Sequence, residues 1–386
     1  MGKKILFLGS LAIIIMITIL LANSFFNTGF FALSSERQPV QVGAVFPFSG
    51  SLSYFGPYLQ RGFDIAVSEI NGDGGINGHK LAVIYEDSQS ATAQGITAYN
   101  KLSGVNDIHT IFVTISGPTL GIAPLAEKNH DLLFNVGSAS PKISEAGDYV
   151  FRHNLLPDDE ASFLANSICN KFNYKEIVVL YANTEAGVAY KNLFEKDYLP
   201  CGTIKAEETY DISASDFRTQ LSKIRQANTR AVLLISYTQE AGLILNQAKE
   251  LGLNVQWFDV YAVEGPTLIA TAGKNADGLI YTHFFAENNS KEYQDFKNKF
   301  VAAYGVEPEF NSVLAYDSMK VLAKAMKQCT NPEDAVCIKN ELYKTQNFFG
   351  LTGPISFDAN GDTRKTVILK TVKDGKFVPY KTGQLD

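Results

Sequence analysis

The sequence predicts an α/β protein built from two doubly wound lobes. A strand, helix, strand unit opens the chain at residues 40–87, and strand-like runs then alternate with helical ones to about residue 282. With 386 residues, 46% of them hydrophobic and 19% charged, the chain is large enough for two cores rather than one.

In the opening unit Val40 to Phe46 reads as a buried strand. Phe63, Ala66, Val67 and Ile70 recur at helical spacing after Gly56-Pro57, and a Gly-rich turn leads to the strand Leu81 to Glu86. The Ser49-Gly50 turn falls at the carboxyl end of the first strand, where α/β sheets bind ligands and where amides opening the next helix favour an anion. Helices Ala91 to Leu102 and Pro118 to Lys128 alternate with strands Ile108 to Val113 and Leu132 to Val136, completing a first lobe. A second series has strands Ile177 to Tyr181, Ile204 to Thr209, Ala231 to Ser236, Val255 to Val260 and Gly278 to Thr282. Its helices are Pro157 to Phe172, Ala186 to Tyr198, Ser215 to Gln226, Thr238 to Leu251 and a short one after Pro266.

Met1-Gly2-Lys3-Lys4 followed by the apolar run Ile5 to Ala22 predicts export, with the amino terminus inside and the folded part outside. A retained anchor with a tether to Gln38 is the expectation, and Ala32-Leu33-Ser34 offers a cleavage site as the alternative. The net charge of −6 without a basic stripe argues against a nucleic-acid partner. Export permits disulfides among Cys169, Cys201, Cys329 and Cys337. Three pairings are open, as are four free thiols. Helix ends flanking the strand at 176–181 favour Cys169 with Cys201, leaving Cys329 for Cys337. No pair has zinc-ligand spacing, and no metal or cofactor is expected.

The order Pro47, Ser49, Gly50, Phe55, Gly56, then Glu69, Ile70, Asn71, then Gly74, Gly75, Ile76, Gly78 and Asp87 resembles the opening of the leucine/isoleucine/valine-type solute-binding proteins. These are type I periplasmic binding proteins of branched-chain amino acid ABC transporters, and the similarity continues to about residue 370. It implies two Rossmann-like lobes joined by a three-strand hinge. Residues 1–38 are then signal or anchor and tether, 39–154 with 287–349 the first lobe, and 155–286 with 350–386 the second. Crossings fall near 152–157, 283–287 and 350–355. Helices Glu292 to Tyr304 and Asn311 to Gln328 return to the first lobe, and Ile355 to Phe357, Thr366 to Thr371 and Lys376 to Tyr380 close the second. The cysteine that would carry the family's lipid anchor is absent.

The cleft between such lobes is the implied binding site. Ser116 follows a strand and opens a helix, so a hydroxyl and free amides can grip a carboxylate there, and the resemblance assigns Ser116 that role. In the loop Ser138-Ala139-Ser140 the family's threonine position is Ala139, so Ser138 or Ser140 would supply the hydroxyl. Phe55, beside Tyr54, is the implied lid, and Tyr237 is the implied contact from the second lobe. The family's ammonium-binding glutamate falls on Tyr261, with Glu264 the nearest acid; without a counter-charge a carboxylate lacking an amine fits better. Ala186-Gly187 stands where the family often has Tyr-Gly, which leaves room for a larger ligand.

Asn71 to Gly75 fails the calcium-loop pattern, Asp87 reads as an acid that caps a turn, and the five histidines show no paired spacing. No nucleophile elbow, Walker loop or HExxH motif occurs, so an enzyme is not expected. The expected function is extracytoplasmic capture of a small carboxylate-bearing solute, an amino acid of branched-chain or other apolar type, and delivery to an ABC permease. A ligand-sensing receptor of the same fold and a binder of a carboxylate without an amine are the alternatives.

Overall fold

The computed structural model describes residues 38–284 and 290–381. The apolar run 5–22 and all of the tether before Gln38 lie outside the described residues. Among the described residues no helix is long and apolar enough to cross a membrane.

The first sheet is parallel, with strands β1 (Val40–Phe46), β2 (Leu81–Asp87), β3 (Thr110–Val113), β4 (Leu132–Val136) and β5 (Val150–His153) in the order β2-β1-β3-β4-β5. Strands β3 and β4 are buried throughout, as strands covered on both faces must be. Helices α1 (Phe55–Gly72), α2 (Thr92–Gly104) and α3 (Ser116–Asn129) connect them. In α1 the buried residues Phe55, Leu59, Phe63, Ala66 and Ile70 lie along one stripe. The order reverses between β1 and β3, and a crevice opens at that switch point.

Strand β5 extends this sheet beyond the strands legible in the sequence. It carries Arg152 and His153, which burial would normally forbid. Arg152 is satisfied by Asp362, Ser140 and Ser144, and His153 by Ser318 and Thr352. All but Ser140 and Ser144 are remote in sequence, so no local pattern reports them.

The second sheet contains β6 (Glu176–Ala182), β7 (Thr203–Tyr210), β8 (Ala231–Ile235), β9 (Gln256–Asp259), β10 (Ile280–Phe284), β13 (Val367–Lys373) and β14 (Lys376–Pro379), in the order β14-β13-β10-β9-β8-β6-β7. Its last two strands run antiparallel. Helices α4 (Pro157–Asn166), α5 (Glu185–Tyr198), α6 (Arg218–Gln226), α7 (Thr238–Glu250) and α8 (Pro266–Ala272) accompany it. The helix expected to run to Phe172 ends at Asn166, and a wider turn, Ser167–Lys171, carries Cys169. Disulfides join Cys169 to Cys201 and Cys329 to Cys337, the pairing that the helix ends favour, with Cα atoms 6.4 and 6.0 Å apart.

Helices α9 (Lys291–Tyr304), α10 (Phe310–Gln328) and α11 (Ala335–Tyr343) return to the first lobe. Helix α10 packs on α1 at Gly62, where a methyl group would overlap the Ser312 carbonyl. Glu69 of α1 takes Tyr316, Lys299 and Lys320 from the returning helices.

The third crossing differs from the expectation. Gly353–Ile355 pairs with Phe348–Gly350 in a separate ribbon, β12 with β11, and not with the second sheet. Phe357 stacks edge-on against Phe134 and Phe151 of the first lobe, and Thr363 N–H donates to the Arg152 carbonyl. Residues 350–363 therefore pack on the first lobe, and the chain crosses between Thr363 and Val367, not at 350–355. Aromatic burial wins over the short strand-like pattern of Ile355 to Phe357.

Candidate functional site

Between the lobes lies a cavity of about 400 Å³ at the carboxyl ends of β1, β3, β6 and β8. From the first lobe it is lined by Leu52, Phe55, Ser116 and the loop Gly137 to Ala139. Residues Ala182 to Gly187, Tyr190, Tyr237 and Tyr261 line it from the second lobe, with Phe310 and Asn311 at the start of α10. The cleft is closed: Lys142 of the first lobe meets Glu185 of the second at 2.9 Å, and the rings of Phe55 and Tyr237 meet edge-on across it with centroids 6.0 Å apart.

Helix α3 opens at Ser116 directly after Ile115, whose φ of +67° is a backbone conformation that β-branched residues rarely adopt. Such strain, of order 1–3 kcal/mol, persists only where surrounding structure enforces it, and here it falls where α3 opens in the cavity wall. Ser116 Oγ accepts the Ser140 N–H at 3.1 Å, which leaves the Ser116 proton to donate. Asn135 donates to the hydroxyls of Thr119 and Ser138, each at 2.7 Å, and accepts the Ser138 N–H. This end of the cavity is a cradle of donors at a helix amino terminus, suited to an anion.

Phe55, Ser116, Ser138, Ala139, Tyr237 and Tyr261 come together in the cavity wall. Ser140 does not reach it. Its side chain is buried, its hydroxyl donates to Glu185 Oε1 at 3.3 Å, and its carbonyl accepts from Arg152 Nη1 at 2.8 Å. Ser140 is thus placed as a strut that fixes Ser116. Glu264 is also displaced. Its carboxylate binds Lys370 Nζ at 2.7 Å and the Tyr281 hydroxyl, and it lines a separate recess beside His283. The three-residue loop shift that would bring Glu264 to the cleft is prevented by a short helical turn, Tyr261–Val263, which presents Tyr261 instead.

Tyr261 is held from both sides. Its hydroxyl donates to the Gly137 carbonyl at 2.8 Å and accepts from Asn154 Nδ2 at 2.7 Å, both groups of the first lobe. Its backbone N–H donates to Glu160 Oε1. Glu160 is fully buried, also accepts from Thr282, and has no partner at Oε2. Burial pushes its carboxyl up to about 7, against the hydrogen bonds from Thr282 and Tyr261.

Several site residues carry no sequence motif. Glu185 sits beside Ala186-Gly187, and Thr184 caps that helix by accepting the Gly187 N–H at 2.9 Å. The position after a strand at the second sheet's own switch point is the signal that could have found it. Asn154 and Phe310 are placed by β5 and by the return of α10, which only tertiary contacts define. Asp87 caps the Phe48 to Gln89 turns by accepting three backbone N–H groups and the Ser49 hydroxyl. Among the described residues no cluster of His, Cys, Asp and Glu could hold a metal.

The family described as periplasmic binding protein matches residues 39–376. The Leu/Ile/Val-binding protein homolog 1 of Brucella suis is 27% identical over 344 residues, 88% of this chain and 92% of its own. A branched-chain amino acid transporter substrate binding protein from Streptococcus pneumoniae, solved with isoleucine, superposes with a TM-score of 0.81 at 29% identity, covering 88% of this chain and 98% of its own. A solute binding protein from R. palustris, solved with benzoate, shares the fold with a TM-score of 0.81 at 19% identity over 88% of this chain and 95% of its own.

Proposed function

The chain belongs to the periplasmic binding protein family, and we propose that it captures a small apolar carboxylate outside the cytoplasm and hands it to an ABC permease. The observation that carries the carboxylate is the donor cradle at Ser116, facing a cavity whose remaining wall is largely aromatic and aliphatic. The ligand's carboxylate would take the Ser116 hydroxyl and the first amides of α3. Its apolar body would lie against Phe55, Tyr237 and Phe310, and closure would add the second lobe's wall. The isoleucine in the Streptococcus pneumoniae relative supports an apolar acid of that size, and that relative's being a transporter substrate binding protein supports a transport role.

The apolar run 5–22 is proposed to hold the folded part at the outer face of the cytoplasmic membrane.

Thermal unfolding in the presence of leucine, isoleucine, valine, their 2-oxo analogues and benzoate tests this reading. A ligand at about 100 times its Kd stabilises by about 2.7 kcal/mol, several degrees in Tm. Ser116→Ala is expected to abolish the shift for whichever acid produces it, because a hydrogen bond to a charged group is worth about 1.5–3 kcal/mol. A shift that survives Ser116→Ala unchanged would move the carboxylate elsewhere.

A further inference from the structure

The carboxylate in the cavity's described lining is already paired with a lysine. Among its described lining residues Glu185 is the one carboxylate, and its Oε1 is shared by Lys142 Nζ at 2.9 Å and the Ser140 hydroxyl at 3.3 Å. Three acids that do not line the cavity are held by protein donors. Glu160 takes the Tyr261 N–H and Thr282, Asp259 takes the Ser236 hydroxyl and two backbone amides, and Glu264 takes Lys370 and Tyr281.

A carbonyl could partly replace a carboxylate as an ammonium's partner. In the loop facing Ser116 the Gly137 carbonyl accepts the proton of Tyr261 Oη at 2.8 Å, and the Ser138 carbonyl accepts from Asn154 Nδ2 at 3.2 Å. Asn154 Nδ2, 2.7 Å from Tyr261 Oη, fixes the tyrosine's orientation, because an amide nitrogen can only donate and the tyrosine must then donate onward. The ring is buried and braced edge-on by Phe310 at 5.4 Å, so the hydroxyl has little freedom to retreat.

A ligand gripped by its carboxylate at Ser116 carries any α-substituent one carbon away. An ammonium there would lose its water and have to share the Gly137 carbonyl with the Tyr261 hydroxyl. Buried charges without a partner are strongly disfavoured. A carbonyl oxygen, a hydrogen atom or an aromatic ring at that carbon meets no such cost.

We propose that Tyr261 is a specificity residue that closes the position beside the carboxylate to an ammonium, so that the solute is an apolar carboxylate without an α-amine, a 2-oxo or an aryl carboxylic acid. The proposal rests on the carboxylate reading of this cleft and narrows it. Leu52, Phe55, Tyr237 and Phe310 would hold the apolar part.

Isothermal titration of the purified protein with leucine and valine, against 4-methyl-2-oxopentanoate, 3-methyl-2-oxobutanoate, phenylacetate and benzoate, decides it. At least one of the amine-free acids should bind about 100-fold or more tightly than either amino acid. In Tyr261→Glu the preference should move toward leucine, since a carboxylate then faces the α-position and repels an amine-free acid. Tyr261→Phe keeps the packing and should retain the amine-free acid. Leucine or valine binding the wild type more tightly than all four acids overturns the proposal and leaves the carboxylate reading intact. Loss of amino acid binding in Glu185→Gln would overturn it equally, for Glu185 would then be the ammonium's partner. If none of the six compounds binds, the carboxylate reading fails and the proposal falls with it.

Discussion

Replacing Glu160 by glutamine should make the protein more stable above neutral pH while changing little in acid. Glu160 lies at the start of α4, fully buried, with Oε1 held by Thr282 and the Tyr261 N–H and Oε2 unpartnered near the equally unpartnered Tyr190 hydroxyl. Burial raises its carboxyl from the ordinary 4.5 to about 7 in the folded protein. Below pH 4.5 both folded and unfolded chains hold the proton. As the pH rises, the unfolded chain releases it first, so folding stability falls across the window from about 4.5 to about 7 and stays reduced above it. At about 1.4 kcal/mol per pKa unit the loss is about 3 kcal/mol. Glutamine keeps the acceptor for Tyr261 and Thr282, places a donor where Oε2 had no partner, and cannot ionise. Asp259 and Glu309, each pushed by burial up to about 8, are present in both proteins and largely cancel in the difference. Urea unfolding of wild type and Glu160→Gln at intervals from pH 4 to pH 9 measures it. The gap should widen in the variant's favour by about 3 kcal/mol between pH 4 and pH 8. Curves that run parallel across that range would refute the reasoning.

Two further outcomes concern the frame around the site. Arg152→Met should destabilise by about 3–5 kcal/mol, because it leaves the Asp362 carboxylate buried without its partner 2.7 Å away. Adding Asp362→Leu should recover part of that in denaturant unfolding, and a single variant as stable as wild type would show the pair to be dispensable. Gly62→Ala sets helix propensity, about 1 kcal/mol in alanine's favour, against overlap with the Ser312 carbonyl of α10, typically about 1–3 kcal/mol. Overlap with backbone should win, and a raised Tm would mean that α10 moves aside cheaply.

The parts of this protein legible in the sequence are those that local physics dictates. Apolar runs buried on both faces, helices with one apolar stripe and turns at strand ends announce the two wound sheets without any tertiary information. Ser116 is legible for the same reason, since a strand end followed by a serine that opens a helix is a local arrangement. Helix ends that share one side of a layer favour the observed disulfide pairing over the other two.

Tertiary structure decided where polar groups find partners. Strand β5 is invisible locally because Arg152 and His153 break its apolar pattern, and the residues that neutralise them, Asp362, Ser318 and Thr352, arrive from the far end of the chain. Residues 350–363 pack on the first lobe, where Phe357 meets Phe134 and Phe151, rings that lie far from it in the sequence. Ser140 and Glu264 carry the right chemistry on the right loops, yet each is claimed by a neighbour, Glu185 or Lys370, that linear order places far away. The sequence by itself thus determined the elements, the two wound sheets and the helix that opens at Ser116, because these depend on spacing and on local backbone geometry. Which side chains stay free to meet a ligand depends on the competition among buried polar groups for partners, and only the folded chain settles that.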